Sequence, residues 1–394
     1  MDTWLLTSRA GFEGDLYREA QSTFNVKLAQ GFPLAVKQGW LIVEGGFPGK
    51  DRKPWRAITS KTFTFSRQTV YLFAEVEYNS PAELLENAIG AALDWRKNER
   101  MARGFSAVFV ERPDTPKGRA LLEVSNALEK SLEKTLRFKG LMPEPPRGLP
   151  RLHLFIASPT LAFVGVSDPN LASPHPMGIP GSTAPEGAPD ESAAELSYAL
   201  DFFIPQGEHF TRLKAGMRAV NLGALPGGWS WELTRRGLLT TAVDRSPLPA
   251  PLTSSNLLTP VVSDNLSFKP EIPVHWLFCD IAAPAKLVAD LVARWSADGL
   301  LLREALFKLR LTERERSAGI GALLDGIKAR VEKAGAKCSI ISKHLYGNKN
   351  EVTCHLRLTA PIATARKGKG RGRAKGKPQT QKVARGRSGA RSRK

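Results

Sequence analysis

The sequence predicts an α/β protein whose second half is a doubly wound, mostly parallel sheet. From residue 217 to residue 360, apolar strand-like runs alternate with amphipathic helical stretches, which is typical of a parallel sheet with helices on both faces. The first of these strands runs into a Pro-Gly-Gly loop, within VNLGALPGGWSWEL at residues 220–233. In such sheets ligands bind beyond the carboxyl ends of the strands, so this loop is the first candidate for a site.

The residues before this sheet are interpreted as two smaller α+β units. Residues 1–80 contain the strand-like runs TWLLTS, GWLIVEG and TVYLFAEVEY and one helical stretch, FEGDLYREAQSTF. Residues 81–180 contain the helices PAELLENAIGAALDWRKN and GRALLEVSNALEKSLEKTLRFKG, the strand FSAVFVER between them, and two closing strands in LHLFIASPTLAFVGVS. Prolines in residues 167–192 exclude regular structure, so this stretch is predicted to be a connector.

The doubly wound sheet is predicted within residues 185–360. Its strands are MRAVNLGA, LLTTAVD, VHWLFCDI, ALFKLRL, KCSIISKHL and EVTCHLRLTA. Its helices are GGWSWELTRRG, PAKLVADLVARWSADG and ERERSAGIGALLDGIKARVEKAG. We expect one parallel-dominated sheet that ends with an antiparallel strand and carries residues 223–229 at its carboxyl edge.

The net charge of +19 is unevenly distributed along the chain. Residues 364–394 contain 13 Lys or Arg and no Asp or Glu, which leaves about +6 for the preceding residues. This tail is rich in glycine and has no apolar periodicity, so it cannot offset the entropy cost of ordering, and we expect residues 361–394 to be disordered. It is either an arm that binds RNA phosphates without reading sequence or a solubilising tail, and the complete absence of anions favours the arm.

Cysteine usage and hydropathy indicate a cytoplasmic protein. Cys279, Cys338 and Cys354 lie in apolar runs without CxxC spacing, which predicts reduced core residues and no metal site. The start of the chain lacks the basic flank and long apolar core of a secretory signal. No window reaches the roughly 20 apolar residues that span a bilayer. We therefore expect a cytoplasmic monomer that does not contact membranes.

The glycine loop favours a small nucleoside cofactor. Gly223, Gly227 and Gly228 lie between a strand and a helix, where a backbone without side chains can approach a ligand closely. Asp244 ends the next strand, where a carboxylate can accept hydrogen bonds from ribose hydroxyls. The loop matches neither GxGxxG nor GxxxxGK[ST], so a dinucleotide or a triphosphate fits less well. A glycine-rich turn alone can be purely structural, and the acid at the strand end is what favours a cofactor.

Several motifs together resemble the ribosomal RNA large-subunit methyltransferase M family. They are GFEGDLYREA, SPHPMGIPG, VNLGALPGGWSWEL, VHWLFCDI, LFKLRL and EVTCHLR, and the family pattern for the loop is close to DLGACPGGW. The resemblance covers nearly the whole chain up to about residue 360 and excludes the tail. It implies a ferredoxin-like domain at residues 1–80, an RNA-binding THUMP domain at residues 81–180 and a Rossmann-like methyltransferase domain at residues 185–360. It also implies methylation of a cytidine ribose 2′-hydroxyl in 23S rRNA.

The resemblance implies S-adenosylmethionine as cofactor and assigns residues to its site. The residues so assigned are Asn221, Gly223, Pro226, Gly227, Gly228, Trp229, Asp244, Asp264 and Asp280. Asp264 would lie near the adenine, and Asp280 would serve both the cofactor pocket and the catalytic centre. Asn221 and Leu225 replace an Asp and a Cys of the family pattern, and the lost carboxylate should weaken cofactor binding.

The resemblance also implies a Lys-Asp-Lys-Glu constellation, in which a lysine loses its proton to activate the 2′-hydroxyl. Matched to that pattern, Asp280 and Glu351 are retained, Glu195 replaces the first lysine, and Arg310 replaces the second. An arginine stays protonated and cannot act as the base. Lys308 lies on the same strand face but about 6.6 Å away, which we take as too far for a simple exchange.

Two functions remain open at this point. The first is an RNA-binding protein on a methyltransferase scaffold, with methyl transfer impaired because both lysines are replaced. The alternative is an active S-adenosylmethionine-dependent 23S rRNA ribose 2′-O-methyltransferase, whose base is Lys308 or a carboxylate with a raised pKa. Without the resemblance, Asp280 and Glu351 would be only acids at strand ends. Both functions make 23S rRNA or its precursor the partner.

Overall fold

The computed structural model of the protein describes residues 2–46, 53–98, 104–181, 184–312 and 316–360. Two seven-stranded sheets organise this part of the chain. The basic tail lies outside the described residues, so its expected disorder stays a prediction. No helix in the described ranges combines the length and apolar character needed to cross a bilayer.

The first sheet has the strand order β2-β3-β1-β4-β7-β6-β5. Its strands are β1 (Asp2–Thr7), β2 (Lys27–Leu28), β3 (Trp40–Gly45), β4 (Gln68–Glu77), β5 (Val108–Glu111), β6 (Arg151–Ser158) and β7 (Leu161–Ser167). Its helices are α1 (Glu13–Phe24), α2 (Pro81–Asn98), α3 (Pro116–Arg119) and α4 (Leu122–Phe138). Because β4 pairs with β7, one sheet extends through both α+β units of the sequence analysis. The domain boundary at residue 80 stays a prediction, and it falls between β4 and α2.

The second sheet has the order β10-β9-β8-β11-β12-β14-β13. Its strands are β8 (Arg218–Leu222), β9 (Leu239–Asp244), β10 (Leu258–Val262), β11 (Val274–Cys279), β12 (Leu301–Arg310), β13 (Lys337–Lys343) and β14 (Glu351–Ala360). Its helices are α5 (Ser192–Phe203), α6 (His209–Arg212), α7 (Gly228–Arg235), α8 (Ala250–Thr253), α9 (Ala285–Ala297) and α10 (Ser317–Lys333). Strands β8 to β12 are parallel, and β14 is antiparallel to both of its neighbours.

This topology confirms the predicted fold class, a Rossmann-like doubly wound sheet with a final antiparallel strand. The chain proceeds from β8 outward to β9 and β10, then returns to β11 and β12 on the other side. The strand order therefore reverses between β8 and β11, where such sheets form a ligand crevice. The sequence analysis did not predict α5 and β10, nor the short elements β2, α6 and α8.

Apolar side chains cover both faces of the second sheet. One face packs on α9 and α10, with Val292 and Val331 fully buried. The other face packs on α5 and α7, with Leu200 and Leu233 fully buried. Cys279 and Cys354 are buried and unpaired, as expected for reduced core residues, and Cys338 is half-buried and also unpaired.

Polar contacts join the first sheet to the second around residues 60–65. Lys343 Nζ, at the end of β13, donates to the carbonyls of Ser60 and Phe63, the latter at 2.9 Å. Burial lowers the pKa of Lys343 to about 7, with the charge of Glu19 acting in the opposite direction. Thr64 Oγ1 lies 2.8 Å from Ser342 Oγ. These bonds fix the N-terminal part against the sheet edge that carries the candidate site.

Helix α4 offers a test of the core under the first sheet. Leu132 is fully buried against strands β5 and β6, whereas Leu122 on the same helix is 43% exposed. We expect Leu132→Ala to lower the free energy of unfolding by about 2–5 kcal/mol, because it removes buried methyl groups and leaves a cavity. Leu122→Ala is the matched control and should change it by less than about 1 kcal/mol. Urea unfolding measures both, and equal effects would contradict the packing of α4.

Candidate functional site

The glycine loop after β8 closes directly against the end of β11. Gly223 has a φ of +77°, and a Cβ there would lie 2.5 Å from the carbonyl oxygen of Asp280. Both the left-handed backbone and the missing space require glycine at this position. Asp280 N donates to Leu222 O at 3.0 Å, which completes the contact between the two strand ends. The loop therefore occupies the crevice at the strand-order reversal, as the sequence analysis predicted.

The second half of the loop begins helix α7. Gly227 has a φ of +134°, and a Cβ there would collide with Leu252 at 2.0 Å. Gly228 N donates to Asp190 Oδ2 at 2.9 Å, and Asp190 Oδ1 accepts from Ser192 N at 2.8 Å. One carboxylate thus joins the first turns of α5 and α7. Pro226 follows a cis peptide bond and completes the turn.

The side chains of Asn221 and Trp229 lie beneath the loop rather than in it. Asn221 is fully buried, and its Nδ2 donates to Ser230 Oγ at 2.9 Å. Trp229 is 4% exposed and lies against Lys308, whose Nζ is 5.3 Å from the centroid of the indole ring. The geometry places Trp229 under the lysine, whereas the sequence assignment gave it to the cofactor.

Two acids lie at the same edge, after β9 and β10. Asp244 accepts hydrogen bonds from Leu225 N at 3.2 Å and Ser246 N at 3.4 Å. Asp264 is paired with Arg245 at 2.6 Å, and the hydrogen bond from Arg245 lowers its pKa. Asn265, which the sequence analysis did not select, accepts from Gly223 N at 3.1 Å. The structure thus gathers Gly223, Asp244 and Asp264 at one edge, as predicted.

Lys308 is the centre of the catalytic candidates. Its Nζ lies 2.9 Å from Asp280 Oδ2, 3.1 Å from Glu351 Oε1 and 3.2 Å from Glu195 Oε2. The lysine comes from β12, and its three partners come from the end of β11, the start of β14 and helix α5. The lysine side chain is 9% exposed. We refer to Glu195, Asp280, Lys308 and Glu351 as the lysine cluster.

The structure corrects the assignment of Arg310 to the second lysine position. Arg310 is the last residue of β12, is exposed, and lines a surface depression with Lys286, Thr312 and Ile320. In the ladder between β12 and β14, Arg310 is the backbone partner of Glu351. The side chain of Glu351 nevertheless contacts Lys308 through Oε1, and Asn348 Nδ2 donates to that same oxygen at 3.2 Å. The spacing of about 6.6 Å between positions 308 and 310 of the strand therefore does not exclude Lys308, because its side chain reaches Asp280 and Glu351. Lys308, and not Arg310, is therefore the β12 residue whose side chain contacts Asp280 and Glu351.

The charges of the lysine cluster fix its protonation. Burial alone would lower the pKa of Lys308, but Asp280, Glu351 and Glu195 outweigh burial and hold its pKa well above its usual value. Burial raises the pKa of Asp280, although the neighbouring ammonium opposes this. Lys308 is therefore an ammonium at neutral pH, and Asp280 is a carboxylate with increased basicity.

The inner side of the lysine cluster is closed. The cavity there, next to Tyr198, Leu345 and Thr353, has a volume of only about 20 Å³. Such a volume admits at most a single water molecule. A substrate must therefore reach Lys308 from the solvent side, across the edge that carries the glycine loop.

The chain is similar over most of its length to proteins named ribosomal RNA large subunit methyltransferase M. The relative from Laribacter hongkongensis is 31% identical over 367 residues, which cover 92% of this chain and 98% of the relative. Those from Stutzerimonas stutzeri and Azotobacter vinelandii are each 34% identical and cover 91% and 92% of this chain and 99% and 100% of their own. No family model matches. Among solved structures, TrmN from Thermus thermophilus aligns over 91% of this chain and 100% of its own, with 14% identity and a TM-score of 0.34.

The lysine cluster predicts a pH-dependent stability. In Lys308→Met the three carboxylates lose their shared cation, and we expect the free energy of unfolding at about pH 8 to fall by about 1–3 kcal/mol. Burial raises the pKa of Asp280 even beside the ammonium, and without that cation the folded pKa of this carboxyl rises further above its unfolded value, so stability is present at low pH and is lost as pH rises through the folded pKa. Urea unfolding between about pH 5 and pH 8 should show the deficit widening with pH. Arg310→Met, two residues away on the same strand face, is the matched control and should show no such widening.

Proposed function

Because the chain belongs to the ribosomal RNA large subunit methyltransferase M family, we propose that it transfers a methyl group from S-adenosylmethionine to a ribose 2′-hydroxyl of 23S rRNA. The position of Asp280 is the observation that carries this proposal. Its carbonyl closes against Gly223 of the glycine loop, and its carboxylate lies 2.9 Å from Lys308 Nζ. One residue thus joins a loop suited to a nucleoside cofactor with a cluster suited to hold and deprotonate a hydroxyl.

The residues of the crevice fit S-adenosylmethionine. Glycine at position 223 allows the loop to close against the Asp280 carbonyl, and this contact shapes the end of the crevice. Each oxygen of Asp244 accepts one main-chain hydrogen bond and keeps lone pairs for ribose hydroxyls. Asp264 would face the adenine after exchanging part of its contact with Arg245. Asn221 brings no negative charge to this crevice, but the adjacent lysine cluster has three carboxylates and one ammonium, a surplus that attracts a cationic cofactor.

The chain's own residues position the hydroxyl and accept its proton. Bound S-adenosylmethionine supplies an electrophilic methyl group on a sulfonium. The Lys308 ammonium would donate a hydrogen bond that holds the 2′-oxygen of the substrate. The proton that this hydroxyl loses on methylation would pass to a carboxylate of the lysine cluster. Asp280 is the better acceptor, because its pKa is raised by burial and Lys308 has no proton vacancy.

The second candidate is the silent scaffold, an RNA-binding protein without methyl transfer. Glu195 is the residue that favours it, because this carboxylate stands where the family pattern has a lysine. Its Oε2 lies 3.2 Å from Lys308 Nζ and adds a third anion to the lysine cluster. With three carboxylates bound, every N–H group of the Lys308 ammonium already has an acceptor, and none is left to hold the 2′-oxygen. The two candidates share RNA as partner and differ in turnover.

Methylation assays with paired variants test the proposal. With immature 23S rRNA and S-adenosylmethionine, we expect ribose methylation by the unmodified protein and a loss of about 10²- to 10⁴-fold in kcat for Lys308→Met and Asp280→Asn. Arg310→Met should stay within about threefold of the unmodified protein, since Arg310 lies outside the lysine cluster. Mass mapping of ribose methylation measures the product.

No methylation by the unmodified protein, together with measurable RNA binding, would establish the silent scaffold. In that case Glu195→Lys alone is the minimal change that should restore turnover, because Lys308 is already in place. A loss of activity in Arg310→Met equal to that in Lys308→Met would contradict the assignment of Lys308.

We also propose that residues 364–394 bind RNA phosphates. Deleting them removes 13 cations, so affinity for 23S rRNA should fall and the plot of log K against log salt should become shallower, since fewer counterions are released. Filter binding at several salt concentrations measures the slope. The unfolding midpoint of the remaining chain should not change, and an unchanged slope would show that the tail does not contact RNA.

A further inference from the structure

The segment that joins β13 to β14, residues 344–350, passes beside the lysine cluster and leaves one aromatic ring in solvent. His344, Leu345 and Asn348 are 1%, 6% and 2% exposed, respectively, whereas Tyr346 is 42% exposed. Lys349 and Asn350 are also exposed, as is usual for polar residues of a loop. The exposed ring of Tyr346 raises the question of what it contacts.

The N-terminal part of the chain clamps the backbone on both sides of Tyr346. Arg9 Nη1 donates to Asn348 O at 3.0 Å and to Tyr346 O at 3.4 Å. Within the segment, Leu345 N donates to Asn348 Oδ1 at 3.0 Å. Hydrogen bonds therefore hold the main chain at Leu345, Tyr346 and Asn348, directly around the exposed ring.

Arg67 holds the ring itself. Its guanidinium carbon lies 5.2 Å from the centroid of Tyr346, in the range of a cation–π contact. Arg67 is in turn held by Asp114, with Nη1 2.7 Å from Oδ2, and its side chain is only 2% exposed. A planar ring with a fixed support and a solvent-exposed surface is the geometry of a stacking platform.

The platform lies next to the atoms that we assign to chemistry. A Cβ at Gly347 would come within 2.8 Å of Glu195 Oε1, so the backbone after Tyr346 touches one member of the lysine cluster. Asn348 Nδ2 donates to Glu351 Oε1 at 3.2 Å, a second member. Both contacts with the lysine cluster are made by the two residues that directly follow Tyr346 in the chain.

We propose that Tyr346 stacks against a nucleobase of the RNA substrate, at or beside the methylated nucleotide, and so fixes the ribose over Lys308. The inference rests on the proposed function for the identity of the substrate as RNA. Single-stranded RNA is recognised by stacking unpaired bases on aromatic side chains, and this needs a rigid exposed ring with an electropositive neighbour. Tyr346 with Arg67 meets both conditions.

Three substitutions separate stacking from other roles of the tyrosine. Tyr346→Phe keeps the ring, Tyr346→Leu keeps apolar bulk without it, and Tyr346→Ala removes both. We expect Kd for 23S rRNA transcripts, and KM for methylation, to rise about 10- to 100-fold in Tyr346→Ala and nearly as much in Tyr346→Leu. Tyr346→Phe should stay within about twofold. The affinity for S-adenosylmethionine and the unfolding midpoint should not change in any of them.

Phe210→Ala is the matched control, because Phe210 is an exposed aromatic residue, at 89%, that lies away from the lysine cluster. It belongs to α6, and Arg212 of that helix contacts Glu304 in the first half of β12, before Lys308. Phe210→Ala should leave RNA affinity unchanged. Tyr346→Ala with unchanged Kd, or Tyr346→Leu that binds as well as Tyr346→Phe, would overturn the proposal. The Kd is measured without turnover. An unmodified protein that binds RNA but does not methylate it would therefore refute the proposed function, and the Kd values of the Tyr346 variants would still show whether Tyr346 stacks on RNA.

Discussion

The buried ammonium of Lys308 is the interaction on which the site depends. Three carboxylates approach it from α5, from the end of β11 and from the start of β14, and the lysine rises from β12. These elements are far apart in sequence and would repel one another at this edge without the cation. The ammonium therefore fixes the relative positions of the strand ends, and the glycine loop after β8 is fixed with them through Asp280.

Most of the fold can be predicted from the sequence, because hydrophobic periodicity reports local structure. The failures are instructive. Strand β10 contains Pro260 and lies at the edge of its sheet, where a proline is tolerated but hides the strand pattern. Helix α5 follows directly on the proline-rich connector, and the sequence analysis assigns only its residue Glu195, by resemblance. The structure of both elements depends on their position in the fold rather than on their amino-acid composition.

The candidate site divides in the same way. Gly223 is predictable because a left-handed backbone at a strand end leaves a glycine in the sequence. The choice between Lys308 and Arg310 is not, since alternation along a strand gives both residues the same face, and only the folded chain shows that Lys308 meets the acids while Arg310 lies beside Lys286 and Ile320. Asp190, Asn265 and Asn348 orient the loop or the lysine cluster through contacts that no local pattern reveals. Sequence reasoning finds residues that need a special backbone and misses those that need a distant partner.

The clamp from Arg9 to the backbone at residues 346 and 348 has a consequence for the order of assembly during synthesis. Its two ends are 337 and 339 residues apart, nearly the full length of the described chain. The early residues emerge from the ribosome long before their partner exists, and contacts of such separation form late because the intervening loop must first close. The rim of the site is therefore completed only after β14 has been made. A chain truncated before residue 346 would lack both acceptors of the clamp and the strand β14 that follows them, and its crevice would stay unfinished.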